Sequence, residues 1–272
     1  MPLTPFLFQE NLMLLRQTIK QAVGSSMAAV NPQCRYDRAI FVIAHMRCGS
    51  TALSNILCSR SDVSGYGESH VRHDGKGALG RIAVNQALRG GWRPGARYLF
   101  DKILHDRHDR GAPSIFYAAR GIFVAREPGP AIRSIRQLYA GLGRREYGSD
   151  EEAALYYVQR MQTMMEHWAR FPADRRVGIT HAQLVERPEA MLARISERLT
   201  ISPPLENHYR SPAASRKGGG GDPTASGRFT RIEARTNNPA AAERLLSGLA
   251  LPGELAREAR RAYDCFVAEA AT

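Results

Sequence analysis

The stretch FVIAHMRCGST, Phe41 to Thr51, decides how this chain reads. Its first half is a β-branched and aromatic run of the kind that forms a strand buried on both faces of a parallel sheet. Its second half, RCGST, is small and polar, and the TALSNILCSR segment beginning within it places Leu53, Ile56 and Leu57 at helical spacing. A strand, a tight loop and a helix in that order leave the first helical N–H groups without intrahelical partners, at the positive end of the helix dipole. Such a corner takes an anion. Gly49 permits close backbone approach, Ser50 and Thr51 add hydroxyl donors, and Arg47 carries a permanent charge on a fork of donors. The common phosphate-loop pattern G-x-x-x-x-G-K followed by serine or threonine is not met, because its lysine and first glycine are missing. Read alone, RCGST stays open between a structural turn and a phosphate site.

Outward from this stretch, RYLFDKIL and GIFVARE are two more apolar runs ending in charge, which places their C-terminal ends near the same loop. PGPAIRSIRQLYAGL reads as a helix opened by proline, and EEAALYYVQRMQTMMEHWARF as a long amphipathic helix. RRVGITHAQLV is a further strand and turn, RPEAMLARISERLTI another helix, and a helical segment from Ala241 finishes the chain. The alternation predicts an α/β fold: a single domain with a central parallel β-sheet flanked by helices. Residues 1–38 read as an N-terminal helical extension with Leu12, Leu15 and Ile19 on one face, and 39–272 as the main domain. Between Ser211 and Phe229 lies the one low-complexity stretch, SPAASRKGGGGDPTASGRF. Its composition is that of a linker, but Arg216 and Lys217 directly before the glycines suit a mobile basic loop closing over an anion.

The 272 residues are 43% hydrophobic and carry a net charge of +12, which favours acidic partners over a neutral surface. Four cysteines, Cys34, Cys48, Cys58 and Cys265, form no CxxC pair and no metal-ligand spacing, so a reducing compartment is the simplest reading. Charged residues interrupt the apolar N-terminus, and no run is long enough to span a bilayer. The expectation is a soluble cytoplasmic protein with no membrane span.

Four pieces in order, the RCGST loop, the strand IFVAREP with Ser134 eight positions after Arg126, the strand-turn THAQLVERPE, and SRKGG, resemble the sulfotransferases that use 3′-phosphoadenosine 5′-phosphosulfate. The resemblance runs from about Ala39 to Phe229 and implies a fold related to the P-loop proteins. It implies that Arg47, Cys48, Gly49, Ser50 and Thr51 hold the 5′-phosphosulfate, with Cys48 contributing backbone N–H rather than a nucleophile. Arg126 and Ser134 would hold the 3′-phosphate, joined by Arg216, Lys217 and Gly218. His181 falls where many members carry an adenine-side tyrosine, a departure at the base. The implied reaction moves a sulfuryl group to a hydroxyl acceptor, a small molecule or a glycan or lipid, with no metal and no nucleic acid as partner.

One branch of that family uses a histidine shortly after a strand-end lysine as base, and another a glutamate shortly after the first helix. Here DKILHDRH offers Lys102 and His105, and GYGESHV offers Glu68. Glu68 is the candidate base, with His105 the alternative, Arg47 stabilising charge on the leaving oxygen and Lys102 facing the sulfuryl group. The ordinary reading of Lys102 is a lysine paired with Asp101 or Asp106. The basic segment from His70 to Arg97 is expected to shape the acceptor side. An ATP-using small-molecule kinase and a nucleic-acid-binding protein are the rival readings. The first lacks the phosphate-loop lysine, and the second any nucleic-acid motif or aromatic-rich basic stripe.

Overall fold

Residues 5–75, 77–213 and 227–271 are described by the structure, a computed structural model. Helix α1 (Pro5–Val30) leads to strand β1 (Ala39–Ala44), every residue of which is buried. Helix α2 (Ser50–Ser59), the short strand β2 (Val63–Ser64), helix α3 (Gly77–Leu88) and strand β3 (Tyr98–Ile103) follow. The turn helix α4 (Asp106–Asp109) leads to β4 (Arg120–Ala125), α5 (Pro128–Gly141) and α6 (Asp150–Arg170). Then come β5 (Arg176–Thr180), α7 (His181–Glu186), α8 (Pro188–Arg198), α9 (Pro239–Ser247) and α10 (Gly253–Ala270). The expected strand and turn at RRVGITHAQLV is a strand and a short helix, because Thr180 and Gln183 form a reciprocal cap that starts α7. The expected terminal helical segment is two helices, divided around Gly248 and Pro252.

The five strands are parallel in the order β2–β3–β1–β4–β5. Ile40, Val42 and their neighbours are apolar on both sides because helices cover both faces of a parallel sheet. From β1 the chain first moves out to β2 and returns through β3, then crosses to β4 on the other side. The C-terminal end of β1 is therefore the switch point where open α/β sheets form a binding crevice.

Arg160 of α6 fixes that end. Its guanidinium is fully buried and donates to the carbonyls of Ala44 (3.0 Å) and Ile103 (3.0 Å), the last residues of β1 and β3. It completes its fork on the carboxylate of Asp109 at 2.8 and 2.9 Å and on Asp106 at 3.0 Å. Burial alone would raise the Asp109 carboxyl, but the Arg160 charge prevails and holds it below its ordinary value.

Helix α1 is pressed against α3 by a backbone contact: a Cβ on Gly80 would lie 1.8 Å from the carbonyl oxygen of Gly24. Among the described residues no helix is long and apolar enough to cross a membrane.

Candidate active site

Helix α2 begins without a side-chain cap, so its first N–H groups stay available. Its N-cap, Gly49, has φ +87°, and Arg47 two residues earlier has φ +65°. Left-handed residues at these two places curl the loop into the shape of an anion-binding nest. Gly49 is required twice, for its φ and because a Cβ there would meet the His181 ring at 2.9 Å. The loop is anchored from behind. Met46 N–H donates to the Tyr156 hydroxyl at 2.9 Å, and that hydroxyl donates to the Leu104 carbonyl at 2.7 Å. The His45 ring accepts the Arg126 N–H at 2.9 Å and bonds the Met46 carbonyl at 2.7 Å. Burial pulls the His45 pKa down to about 3, which keeps the ring neutral and able to play both roles.

Arg126 leaves the end of β4 and donates to the Arg47 carbonyl at 3.1 Å, and Arg47 Nε donates to Ser134 Oγ at 2.9 Å. The expected Arg126–Ser134 pair is thus bridged by Arg47. Cys48 is fully buried, and burial pushes its thiol up, away from thiolate chemistry. Its side chain is not part of the cleft wall.

At the other end of the loop, Lys102 Nζ lies 3.3 Å from Glu68 Oε1 and 3.3 Å from Thr51 Oγ1, with the lysine side chain 1% and the glutamate 13% exposed. This corrects the expected lysine partner. Asp101 accepts instead from the N–H groups of Ser69 and Lys102 (both 2.9 Å), the Ser69 hydroxyl (2.8 Å) and the His73 ring (3.2 Å). Asp106 goes to Arg160. The Asp101 carboxylate therefore holds the residue after Glu68 against the backbone of Lys102. His105 packs on the rings of Tyr156 (5.6 Å) and His108 (6.1 Å). Burial first, then the neighbouring cations, lower its pKa to about 3.

Arg47, Gly49, Ser50, Thr51, Glu68, Lys102, His105, Arg126 and His181 all face one cleft of about 490 Å³. Among the described residues, six arginine and lysine side chains line it against two carboxylates, Glu68 and Glu146. A polyanion is the complementary ligand.

The sequence matches a model described as "Sulfotransferase family" over residues 92–204. The structure is similar to the "Sulfotransferase Domain from the Curacin Biosynthetic Pathway", at TM-score 0.51 and 18% identity, covering 87% of this chain and 99% of that one. It is similar also to the "Sulfotransferase Domain from the Synechococcus PCC 7002 Olefin Synthase", at TM-score 0.52 and 17% identity, covering 87% of this chain and 97% of that one. Residues 92–204 thus resemble the sulfotransferase family, and the fold around them is that of sulfotransferase domains. No curated relative matches.

The family match takes in Lys102, His105, Arg126, Ser134 and His181, but neither the Arg47–Thr51 loop nor Glu68. Those join the site by geometry. Arg216, Lys217, Gly218 and most of the basic glycine-rich loop lie outside the described residues. Among its described residues, the segment from His70 to Arg97, expected at the acceptor side, contributes only His70 to the cleft. Twelve of its residues build α3, which turns to α1 instead. Arg235, absent from the sequence reading, lines the cleft and donates to His181 Nε2 at 3.4 Å. It follows the low-complexity stretch in a segment with no periodicity, and no local pattern marks it.

Proposed function

We propose that this protein is a sulfotransferase that moves the sulfuryl group of 3′-phosphoadenosine 5′-phosphosulfate to an alcohol or phenol. The observation that carries the reading is one loop with two ends. Arg126, Arg47 and Ser134 are linked at one end, and Thr51 meets the Lys102–Glu68 pair at the other. The donor supplies an activated sulfuryl group on its 5′-phosphate, and its second phosphate is the further anion that a cleft so rich in cations can match.

In this reading Arg126 and Ser134 bind the 3′-phosphate. The open N-terminus of α2, with the Ser50 and Thr51 hydroxyls, cradles the phosphosulfate. Arg47 reaches both groups because its backbone belongs to the loop and its side chain to the Ser134 side. Lys102 lies beside Thr51, at the sulfuryl end. Glu68 accepts the hydroxyl proton as the acceptor oxygen bonds sulfur. Arg47, Lys102 and the helix N–H groups stabilise the charge left on the phosphate oxygen as the old sulfur–oxygen bond breaks. Arginine does this as a fixed cation rather than as a proton donor. The residues themselves supply the cationic and basic groups this chemistry asks for.

A thermal-shift comparison tests the donor. Adenosine 3′,5′-bisphosphate, ATP with magnesium, and a DNA duplex are each added to the intact chain. A ligand at 100 times its Kd adds about 2.7 kcal/mol of stability, a shift of several degrees at this chain length. Only the bisphosphate should give it. Stabilisation by ATP with magnesium alone would move the reading to a kinase, and by DNA alone to a nucleic-acid-binding protein. Transfer of labelled sulfate from the donor into a cell extract then identifies the acceptor.

A further inference from the structure

Arg126 and Arg235 approach the same side of the cleft from different parts of the chain, one from the end of β4 and one from the segment after residue 227. Among the described residues neither guanidinium forms an ion pair with a carboxylate. Glu127, next to Arg126, is engaged by the Asn237 side chain at 2.9 Å. The backbone carrying Arg235 is nevertheless pinned: its N–H donates to the Val185 carbonyl at 2.8 Å, and Asn237 N–H to Glu186 at 3.2 Å. His181 sits between this segment and Gly49, with Nε2 3.4 Å from Arg235 Nη2.

Two guanidinium groups held near each other with no carboxylate paired to either repel, and a shared anion relieves them. Burial first, and then the charge of Arg235, lower the pKa of Arg126 against the opposing charge of Glu127, so the two arginines are electrostatically close. His181 stays neutral, because burial and both arginines lower its pKa to about 3. A neutral ring nitrogen accepts one guanidinium N–H and orients the others.

We propose that Arg235 is a phosphate-reading residue that grips the same phosphate as Arg126, and so makes the site discriminate a 3′-phosphorylated nucleotide from one with a free 3′-hydroxyl. The inference rests on the bisphosphate reading above. It adds a ligand from outside the loop motifs, and gives His181 a positioning role in place of an aromatic contact to the base.

Calorimetry with adenosine 3′,5′-bisphosphate and adenosine 5′-phosphate tests it on the wild type, Arg235→Ala, Arg235→Lys and the control Arg231→Ala. Arg231 removes one charge from the same segment but pairs with Glu189 outside the cleft. Arg235→Ala should weaken the bisphosphate about 10- to 100-fold, the worth of one charge-assisted phosphate contact, and leave the monophosphate within about twofold. Arg235→Lys should recover part of the loss, and Arg231→Ala should cost less than about threefold. Equal losses for both nucleotides would mean that Arg235 touches the base or the 5′ side, and would overturn the proposal. So would unchanged bisphosphate affinity in Arg235→Ala while the wild type still prefers the bisphosphate. A wild type that binds both nucleotides equally would instead remove the bisphosphate reading, and the Arg235 inference with it.

Discussion

Arg47 and Ser134 are joined by a 2.9 Å hydrogen bond between the loop after β1 and helix α5, 87 positions apart in sequence. Arg126 donates to the carbonyl of the same Arg47, so three residues from three elements form one connected unit. In such a unit substitutions do not add. Ser134→Ala should weaken adenosine 3′,5′-bisphosphate about tenfold, and Arg47→Ala about a hundredfold, as single charge-assisted contacts do. The double variant should lose less than the sum, with a coupling of about 0.5–3 kcal/mol in a calorimetric double-mutant cycle. Additivity within about 0.3 kcal/mol would mean that the two side chains act on separate groups.

Acid should destabilise the protein through its buried imidazoles. Burial lowers both His45 and His181 from an ordinary 6.5 to about 3. Between these values the unfolded chain binds more protons than the folded one. The stability these rings confer is therefore complete above pH 6.5 and is lost as pH falls toward 3. Each such ring contributes a slope of about 1.4 kcal/mol per pH unit inside that window. Urea midpoints should stay level from pH 8 to 7 and fall steadily from pH 6.5 to 5. A level midpoint down to pH 5 would show that these rings protonate freely in the folded state.

The parts of the site that were legible in the sequence are those written in one contiguous piece. β1, the RCGST loop and α2 form one such piece, and the strand ending in Arg126 with Ser134 on the next helix forms another. Lys102 shows where local reading stops. Asp101 is its neighbour in sequence, but successive strand residues point to opposite faces, so the ammonium cannot share a side with that carboxylate. It meets Glu68, which arrives from the chain after β2. Arg160 carries no local signal of burial within its amphipathic helix; only the crossing of α6 over the strand ends buries it. The Gly24–Gly80 contact left no trace in any periodicity, because small residues carry no apolar signal.

That contact is itself testable. In Gly80→Ala the new methyl would occupy the place of the Gly24 carbonyl, and both helices would have to move apart. Overpacking of this kind costs about 1–3 kcal/mol. Urea unfolding should show the loss, while bisphosphate affinity stays within about twofold, since among the described residues α1 and α3 supply none to the cleft wall. A large loss of affinity with intact stability would reveal a link from α3 to the site that its contacts do not suggest.

The base remains the sharpest question, because Glu68 and His105 both face the cleft. Geometry separates them. Glu68 lies 3.3 Å from Lys102, which reaches Thr51 of the loop after β1, whereas His105 packs between Tyr156 and His108. Glu68→Gln keeps the shape and one hydrogen-bonding oxygen but cannot take a proton in the same way. It should lower turnover by about two to four orders of magnitude, the usual worth of a positioned base, and leave bisphosphate affinity nearly unchanged. His105→Ala should cost far less in turnover. Arg47→Ala should damage affinity and turnover together, since in the proposed reaction that cation serves both the bound donor and the charge that develops on it. Full turnover in Glu68→Gln together with its loss in His105→Ala would move the proton to the histidine, and leave Glu68 as the carboxylate that fixes Lys102.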